Sequence, residues 1–454
     1  MCRKSIDRAP TSPQEFRRTF PLAALGEFLS DAEIETIVRQ YRKTFRHRVF
    51  TPGLTVRAMV QRGLFPDRSI RALFAELAPH FPPGTDTPTA SAFCQARARL
   101  PRKIWPTLIR RRAEDLERSA GRRHLFHGRP LYVVDGSSVS MPDTPSLRRA
   151  YGRASTRHGP SRFPVARLTL LLRHGTEAVV DYRLDRYRSS EDHHFQQMWD
   201  HLPSGSICLH DRKFGSFYTI AKLTAKGVDL VGRLHQRRDP ERLIRAGRKI
   251  GRNEWIVPFR LAPQLRRRYN DPSLPEVVMV RLIRVCFRRG EHVHVLWLYT
   301  TLLDPVAFPR AQFVRLYRRR WGIETRFGSL KTVLKLNVLR STTPAHVRSE
   351  VAATILAHTL VWTVIHQAVR GTSTPPDRVS FTGAVRTIVA FSPVLRLADE
   401  VQRVGLYVRM LRHIRTDVNL YRPNRIEPRL VKRDPVRYHF LMISRDEARQ
   451  KCLS

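Results

Sequence analysis

The chain has 454 residues, of which 42% are hydrophobic, and 82 basic side chains stand against 39 acidic ones for a net charge of +43. That is enough apolar material for a sizeable core, and enough length for two to four domains at about 100–200 residues each. Like charge in such excess repels itself in a compact state and favours an anionic partner; because it runs along the whole chain instead of forming one cluster, it excludes a simple membrane-surface role and points to nucleic acid.

Arginine supplies 71 of the basic residues and lysine 11. A GC-rich gene explains that ratio as well as function does, but it does not explain the shortage of acids. The five cysteines (Cys2, Cys94, Cys208, Cys286 and Cys452) stand far apart, are odd in number and show no metal-ligand spacing. We therefore expect a reducing compartment, with neither a disulfide frame nor a zinc site. The opening "MCRKSIDRAPTSPQEFRR" has no apolar h-region, so no secretory signal is expected. No apolar run reaches about 18 residues, so no membrane span is expected either, and the protein is placed in the cytoplasm.

Residues 1–125 read as helical. In "PLAALGEFLSDAEIETIVRQYRK" the apolar residues recur at helical spacing, and Ser30 precedes Asp31, Ala32 and Glu33 as a cap and first turn. "TVRAMVQRGLF", "SIRALFAELAPHF" and "TASAFCQARARL" follow as shorter helices between Pro and Gly breaks. Basic helices on short turns suit a DNA-reading module; an ordinary helical bundle has the same pattern.

The character changes at Pro130. "LYVVDGSSV" is an apolar strand that ends at Asp135, and "VARLTLLLRHG" and "EAVVDYRLD" pair around a Gly-containing turn. "SSEDHHFQQMWDHL" is a helix capped by Ser189 or Ser190, with His193 and His194 on its solvated side. "SICLHDRKF" is a strand ending at Asp211, "SFYTIAKLTAKG" a helix closed by Gly227, and "VDLVGRL" a strand. This alternation gives an α/β domain. Residues 235–302 break it with "EWIVPFRLA", "EVVMVRLIRVCFRR" and "EHVHVLWLYTTLL", which read as a β-rich insertion. A long helix resumes at Arg310, "RSEVAATILAHTLVWTVIHQAV" is a second, buried helix, and "GTSTPPD" is a linker before a helical and then irregular basic tail.

The long helix carries "LYRRRWGIETRFGSLK", in which Glu324 is the one acid between Asp304 and Glu350. A surface salt bridge to its arginine neighbours would contribute roughly 0–1 kcal/mol. The spacing suggests more. Tyr317, Arg320, Glu324 and Lys331 fall within about 60° of one helix face at about 100° per residue, and span about 21 Å. A carboxylate can hold Mg²⁺, while Arg and Lys hold phosphates. One acid does not make a Mg²⁺ site for phosphoryl transfer, which commonly uses two ions. Asp135 and Asp211, each at the end of an expected strand, point to the cleft where open α/β sheets place ligands. Alone, each has a bland reading: Asp135 with Gly136 as a turn, Asp211 paired with Arg212. His292 and His294 alternate on a strand but lack a nearby third ligand.

The spacing of Tyr317, Arg320, Glu324 and Lys331 resembles the Tyr-Arg-Glu-Lys signature of the insertion-sequence-four family of DDE transposases. "VVDGSSVSMPDTPSLRRAYG" and "HDRKFGS" resemble the segments around that family's two aspartates, "SAFCQARARLP" its N-terminal domain and "PRLVKRDPVRY" its basic tail. Lys213 departs from the pattern, where relatives often have a small residue. The resemblance implies an RNase H-like catalytic domain interrupted by a β-rich insertion before the glutamate. The expected divisions are a helical DNA-end-binding domain at 1–125, catalytic parts at 126–234 and 303–372, the insertion at 235–302, and a helical and basic region at 373–454. It implies Asp135, Asp211 and Glu324 as catalytic ligands of two Mg²⁺ ions, with Mn²⁺ able to substitute, and Tyr317, Arg320, Lys331 and Trp297 as DNA contacts. The partners would be the terminal inverted repeats and target DNA, held by two protomers of a bacterial, nucleoid-associated enzyme with no membrane contact. In relatives a tryptophan placed like Trp297 stacks on a base flipped out as the cut end folds into a hairpin; Trp297 reads equally as strand core. The competing readings are a metal-dependent nuclease of the same fold without strand transfer, and a DNA-binding derivative without catalysis.

Overall fold

The computed structural model describes residues 25, 28–42, 49–77, 88–121, 125–156, 159–289, 292–320, 328–420 and 450–451, the side chains of 156, 288–289 and 318–320 excepted. All the elements named below lie in the first of two units, Met1–Val418.

Helix α1 (Asp31–Tyr41) starts where Ser30 accepts a hydrogen bond from the Glu33 amide, which satisfies one of the donors a helix start leaves open. Thr51 caps α2 (Pro52–Leu64) in the same way, with proline in its first turn. The shorter α3 (Ile70–Leu77) and α4 (Ala90–Arg99) follow, then α5 (Ile104–Ala120). Phe50, Phe74 and Phe93 knit them together, with ring centroids 5.3–5.8 Å apart.

Strand β1 (Leu131–Ser140) leads, through the short helix α6 (Pro145–Tyr151), into β2 (Arg153–Thr156), β3 (Gly159–Arg173) and β4 (Val179–Arg186). Gly175, at φ 91°, turns the chain between β3 and β4, a conformation that favours glycine. Next come α7 (Glu191–Gln196), β5 (Ile207–His210), α8 (Phe217–Ala225) and β6 (Asp229–Arg233). The expected β-rich stretch then folds as α9 (Pro240–Arg245), β7 (Arg248–Gly251), β8 (Glu254–Arg260), α10 (Pro263–Tyr269), β9 (Val277–Arg289) and β10 (His292–Thr300). Its strands extend the same sheet. The order is β2-β3-β1-β5-β6-β10-β9-β8-β7, with β4 also on β3. Among the described strands the β1–β5 and β5–β6 pairs are parallel and the others antiparallel.

The chain closes with α11 (Arg310–Arg320), a π-helical turn (Ser329–Val333), α12 (Pro344–Ala368), α13 (Phe381–Leu397) and α14 (Glu400–Thr416). By length and composition α12 could cross a membrane, but 89% of its apolar window is buried inside the protein, as expected for a buried helix. It packs on α2 and α5. Val351, Ile355, Leu356, Leu360, Val361, Val364 and Ile365 are fully enclosed, each stabilising by about 1.5–3 kcal/mol. Helix α2 is buried almost all round for the same reason: it lies inside the core.

Two apolar layers sandwich the sheet. One joins Leu131, Val133, Ile207 and Leu209 to α1–α5 and α11–α14; the other joins Tyr132, Val134 and Cys208 to Phe195 and α8. Strands covered on both faces need continuous apolar runs, which is why "LYVV" and "ICL" carry no alternation. With helices on both sides of one mixed sheet, this is an RNase H-like α/β fold.

Candidate active site

Sheet register sets the positions of the two aspartates. Val134 pairs with His210, and His210 with Gly232, across parallel strands; Gly232 in turn pairs with Tyr299. One residue past the last pair stand Asp135, still within β1, and Asp211, just beyond the end of β5; the register carried one residue further would set them about one strand spacing, roughly 4.8 Å, apart. Side chains alternate between faces along a strand. Val133 and Leu209 belong to the α11–α12 layer, so Asp135 and Asp211, two residues on from each, face that layer as well. Strand β1 does not end at Asp135: it runs to Ser140, because β3 continues to pair with it after β5 has stopped. The aspartate therefore sits at the end of the parallel pairing, inside a strand, and Asp135–Gly136 is not a turn.

Gly136 faces the other way. A Cβ there would lie 2.5 Å from the carboxyl carbon of Glu191, so only glycine lets that acid approach β1. Glu191 accepts from Arg167 at 2.6 Å and lies 3.6 Å from the Lys213 ammonium. It is nearly buried, at 10% exposure, whereas Lys213 is 63% exposed. No pattern in the sequence singles out Glu191 beyond its place just after Ser190, whose side chain makes no capping bond here. Asp135 accepts its neighbour's amide, from Gly136, at 2.8 Å. Asp211 is extended (φ −80°, ψ 169°) and leads into a 3-10 turn, Arg212–Phe214, that its side chain does not cap. The alternative pairing with Arg212 is not among the described ion pairs.

Helix α11 lies on the aspartate face and contacts β5 and β6. Phe313, Leu316 and Tyr317 are its buried stripe, which puts the Tyr317 ring in the core. Arg320 ends the described helix, its side chain lying outside the described residues, as does Glu324. The reading of one uninterrupted α-helix through Lys331 is corrected. Lys331 sits in the π-helical turn, where the Leu334 amide bonds to the Ser329 carbonyl, and i→i+5 bonding breaks the 100° count. Lys331 instead lines a cleft of about 370 Å³ with Arg62, Lys335 and Arg340.

The approach to α11 is held from the insertion. Arg281 on β9, fully buried, pairs with Glu254 on β8 and donates to the carbonyls of Asp304 (3.2 Å) and Phe308 (2.7 Å). Trp297 is the β10 residue whose carbonyl accepts from Leu234, just past the end of β6. It stands one residue beyond the aspartate row at the same rim, about two strand spacings, roughly 10 Å, from Asp211. Its side chain is on the opposite face, partly buried against Trp255 and 5.8 Å from the Arg284 guanidinium. His292 and His294 are exposed near the tip of the β9–β10 pair. His194 was expected on a solvated face but is buried, its Nδ1 3.0 Å from Thr169 Oγ1. The reason is that α7 lays this side against β3.

Two carboxylates on neighbouring strands offer hard oxygen ligands that fit a divalent cation. Among the described residues no three His, Cys, Asp or Glu side chains form a metal centre. A family model described as Transposase DDE domain matches residues 126–360, and domains of this kind depend on divalent metal. The chain is 25% identical over 429 residues, 92% of its own length and 93% of the relative's, to the transposase InsG for insertion sequence element IS4 of Escherichia coli K12. It is 32% identical over 140 residues to the putative transposase InsZ of the same organism, covering 31% of this chain and 47% of that one. Among solved structures, the cryo-EM piggyBac transposase synaptic complex with hairpin DNA aligns over 88% of this chain and 86% of its own, at 12% identity and a TM-score of 0.43. The matched region runs from before the Asp135 strand into α12 and takes in more than half the chain, which therefore belongs to the DDE transposase family.

Proposed function

We propose that this protein is the transposase of a bacterial insertion sequence, cutting the terminal inverted repeats and joining the freed 3′ ends to target DNA. The observation that carries the assignment of residues is the parallel register that ends at Val134 and His210, directly before Asp135 and Asp211, with α11 packed on β5 and β6. Asp135, Asp211 and Glu324 would hold two Mg²⁺ ions, or Mn²⁺ in their place. Bound there, divalent cations supply activation of the attacking hydroxyl and neutralisation of the leaving oxygen.

The chain's own residues do the rest. Lys213 and Arg212 follow Asp211 directly; the exposed Lys213 ammonium, 3.6 Å from Glu191, is assigned to a DNA phosphate away from the scissile one. Lys331 is assigned a second phosphate contact, beside Lys335 and Arg340, which pair with Asp67, and Arg320 a third on α11. Guanidinium groups suit this because their planar donors match two phosphate oxygens at once. The buried Tyr317 acts by packing α11 against the sheet. Trp297 at the rim is assigned to stacking on a displaced base, worth about 1–3 kcal/mol. Residues 1–125 are assigned to end binding and the protein to the cytoplasm, acting on DNA as a pair of protomers. The divisions 126–234, 235–302, 303–372 and 373–454 stand as proposed functional segments.

The test is a strand-joining assay with labelled DNA taken from the borders of the gene, a target plasmid and Mg²⁺. Joined 3′ ends are expected. Cleavage without joining would replace this reading with a nuclease, and binding without cleavage with a non-catalytic derivative.

A further inference from the structure

Beneath the aspartate row, the next row of the sheet contains a buried polar pair. His210 and Tyr299 are 0% and 1% exposed, and they stand on strands β5 and β10, which are not neighbours. Between them on β6 is Gly232, paired in register with both. A Cβ on Gly232 would lie 2.3 Å from His210 Cε1. Its absence opens the slot through which the Tyr299 hydroxyl meets His210 Nε2 at 2.9 Å. Gly215 closes the slot from the other side, where a Cβ would lie 2.8 Å from the Tyr299 oxygen.

The other ring nitrogen faces the backbone of the neighbouring aspartate. His210 Nδ1 is 2.8 Å from the Asp211 carbonyl oxygen. A carbonyl has no proton to give, so Nδ1 carries the proton and Nε2 is the acceptor from Tyr299. Burial pushes the Tyr299 phenol well above its usual range, which keeps it protonated and able to donate. The Asp211 carbonyl also accepts from the Phe214 amide at 3.1 Å. Two donors thus pin this peptide toward the core, and a pinned carbonyl fixes the direction in which the Asp211 side chain leaves the strand.

We propose that His210 and Tyr299, meeting across Gly232, are positioning residues that set the orientation of the Asp211 carboxylate for metal binding. The inference rests on the reading of Asp211 as a metal ligand. Outer partners of metal ligands typically change affinity by about 10–100-fold when removed, and a burial role alone predicts no such change.

Mn²⁺ titration of the full-length protein, followed by electron paramagnetic resonance and paired with melting curves, tests it. Asp211→Asn defines the site and should lose a bound Mn²⁺. Tyr299→Phe, which fits the same slot, should weaken Mn²⁺ binding about tenfold with little change in melting temperature. His210→Asn, whose amide nitrogen stands near the Nδ1 position but which gives up the acceptor for Tyr299, should bind Mn²⁺ more weakly than wild type yet more tightly than His210→Gln. His210→Gln, whose amide reaches toward Tyr299 instead, should be about tenfold weaker. Wild-type affinity in both Tyr299→Phe and His210→Gln overturns the inference while leaving Asp211 as a ligand, as does a reversed order of the Asn and Gln variants. If Asp211→Asn binds Mn²⁺ like the wild type, the ligand reading fails and this inference goes with it.

Discussion

Replacing Arg281 with Met removes the cation that joins the insertion to the approach of α11. The side chain is fully buried and its partner Glu254 is 11% exposed, so the loss leaves a carboxylate largely out of water. Breaking a buried pair on one side costs about 3–5 kcal/mol. Arg310, 3.8 Å from the other Glu254 oxygen, is partly exposed and offsets at most about 1 kcal/mol of this. We expect a loss of about 3–4 kcal/mol in urea unfolding followed by fluorescence. The double variant Arg281→Met with Glu254→Leu removes the stranded charge and should recover most of that, since apolar replacement of a whole buried pair is often neutral. It should not recover DNA cleavage, because the guanidinium that tied the carbonyls of Asp304 and Phe308 ahead of α11 to β9 is still missing. A single-variant cost below about 1 kcal/mol, or a double variant no more stable than the single, would refute the charge argument. Normal cleavage by the double variant would refute the link to α11.

Four further outcomes follow from the geometry. Asp135→Asn and Asp211→Asn should each abolish metal-dependent cleavage while leaving gel-shift binding to the ends intact; a variant that still cleaves removes its residue from the site. Gly136→Ala should lower stability by about 1–3 kcal/mol through overpacking against Glu191, and adding Glu191→Ala should relieve it; melting curves of the three proteins decide this. The logarithm of DNA affinity should fall by about 0.9 for each phosphate neutralised per unit of log salt. With at least six contacts the slope magnitude is about 5, and a value below about 3 would show most of the basic excess off the DNA. Trp297→Ala should nick the first strand normally yet accumulate nicked DNA, and Trp297→Phe should restore the second cut. Completion of both cuts by the alanine variant on denaturing gels would leave Trp297 as packing against Trp255.

Some of this protein is written locally, and for that the sequence by itself was sufficient. Ser30 caps the helix it precedes, as its place before Asp31 and Glu33 implied, since a cap is decided by a hydroxyl within three residues of its amide; Ser190, by contrast, precedes α7 without a side-chain capping bond. The apolar runs "LYVV" and "ICLH" lie in strands β1 and β5, because an uninterrupted apolar run suits a strand covered on both faces. Other features depended on partners far away in the chain. Strand β1 outruns Asp135 because β3 is there to pair with it. Lys331 leaves the expected helix face because a π-helical turn interrupts the count. His194 is buried by β3, 25 residues away in sequence, and Trp297 faces away from the aspartates by the parity of β10. The buried row of His210, Gly232 and Tyr299 is joined only by sheet register, which no spacing along the chain encodes. Local hydrogen bonding and periodicity act over a few residues, whereas register, parity and burial are fixed only when distant strands meet.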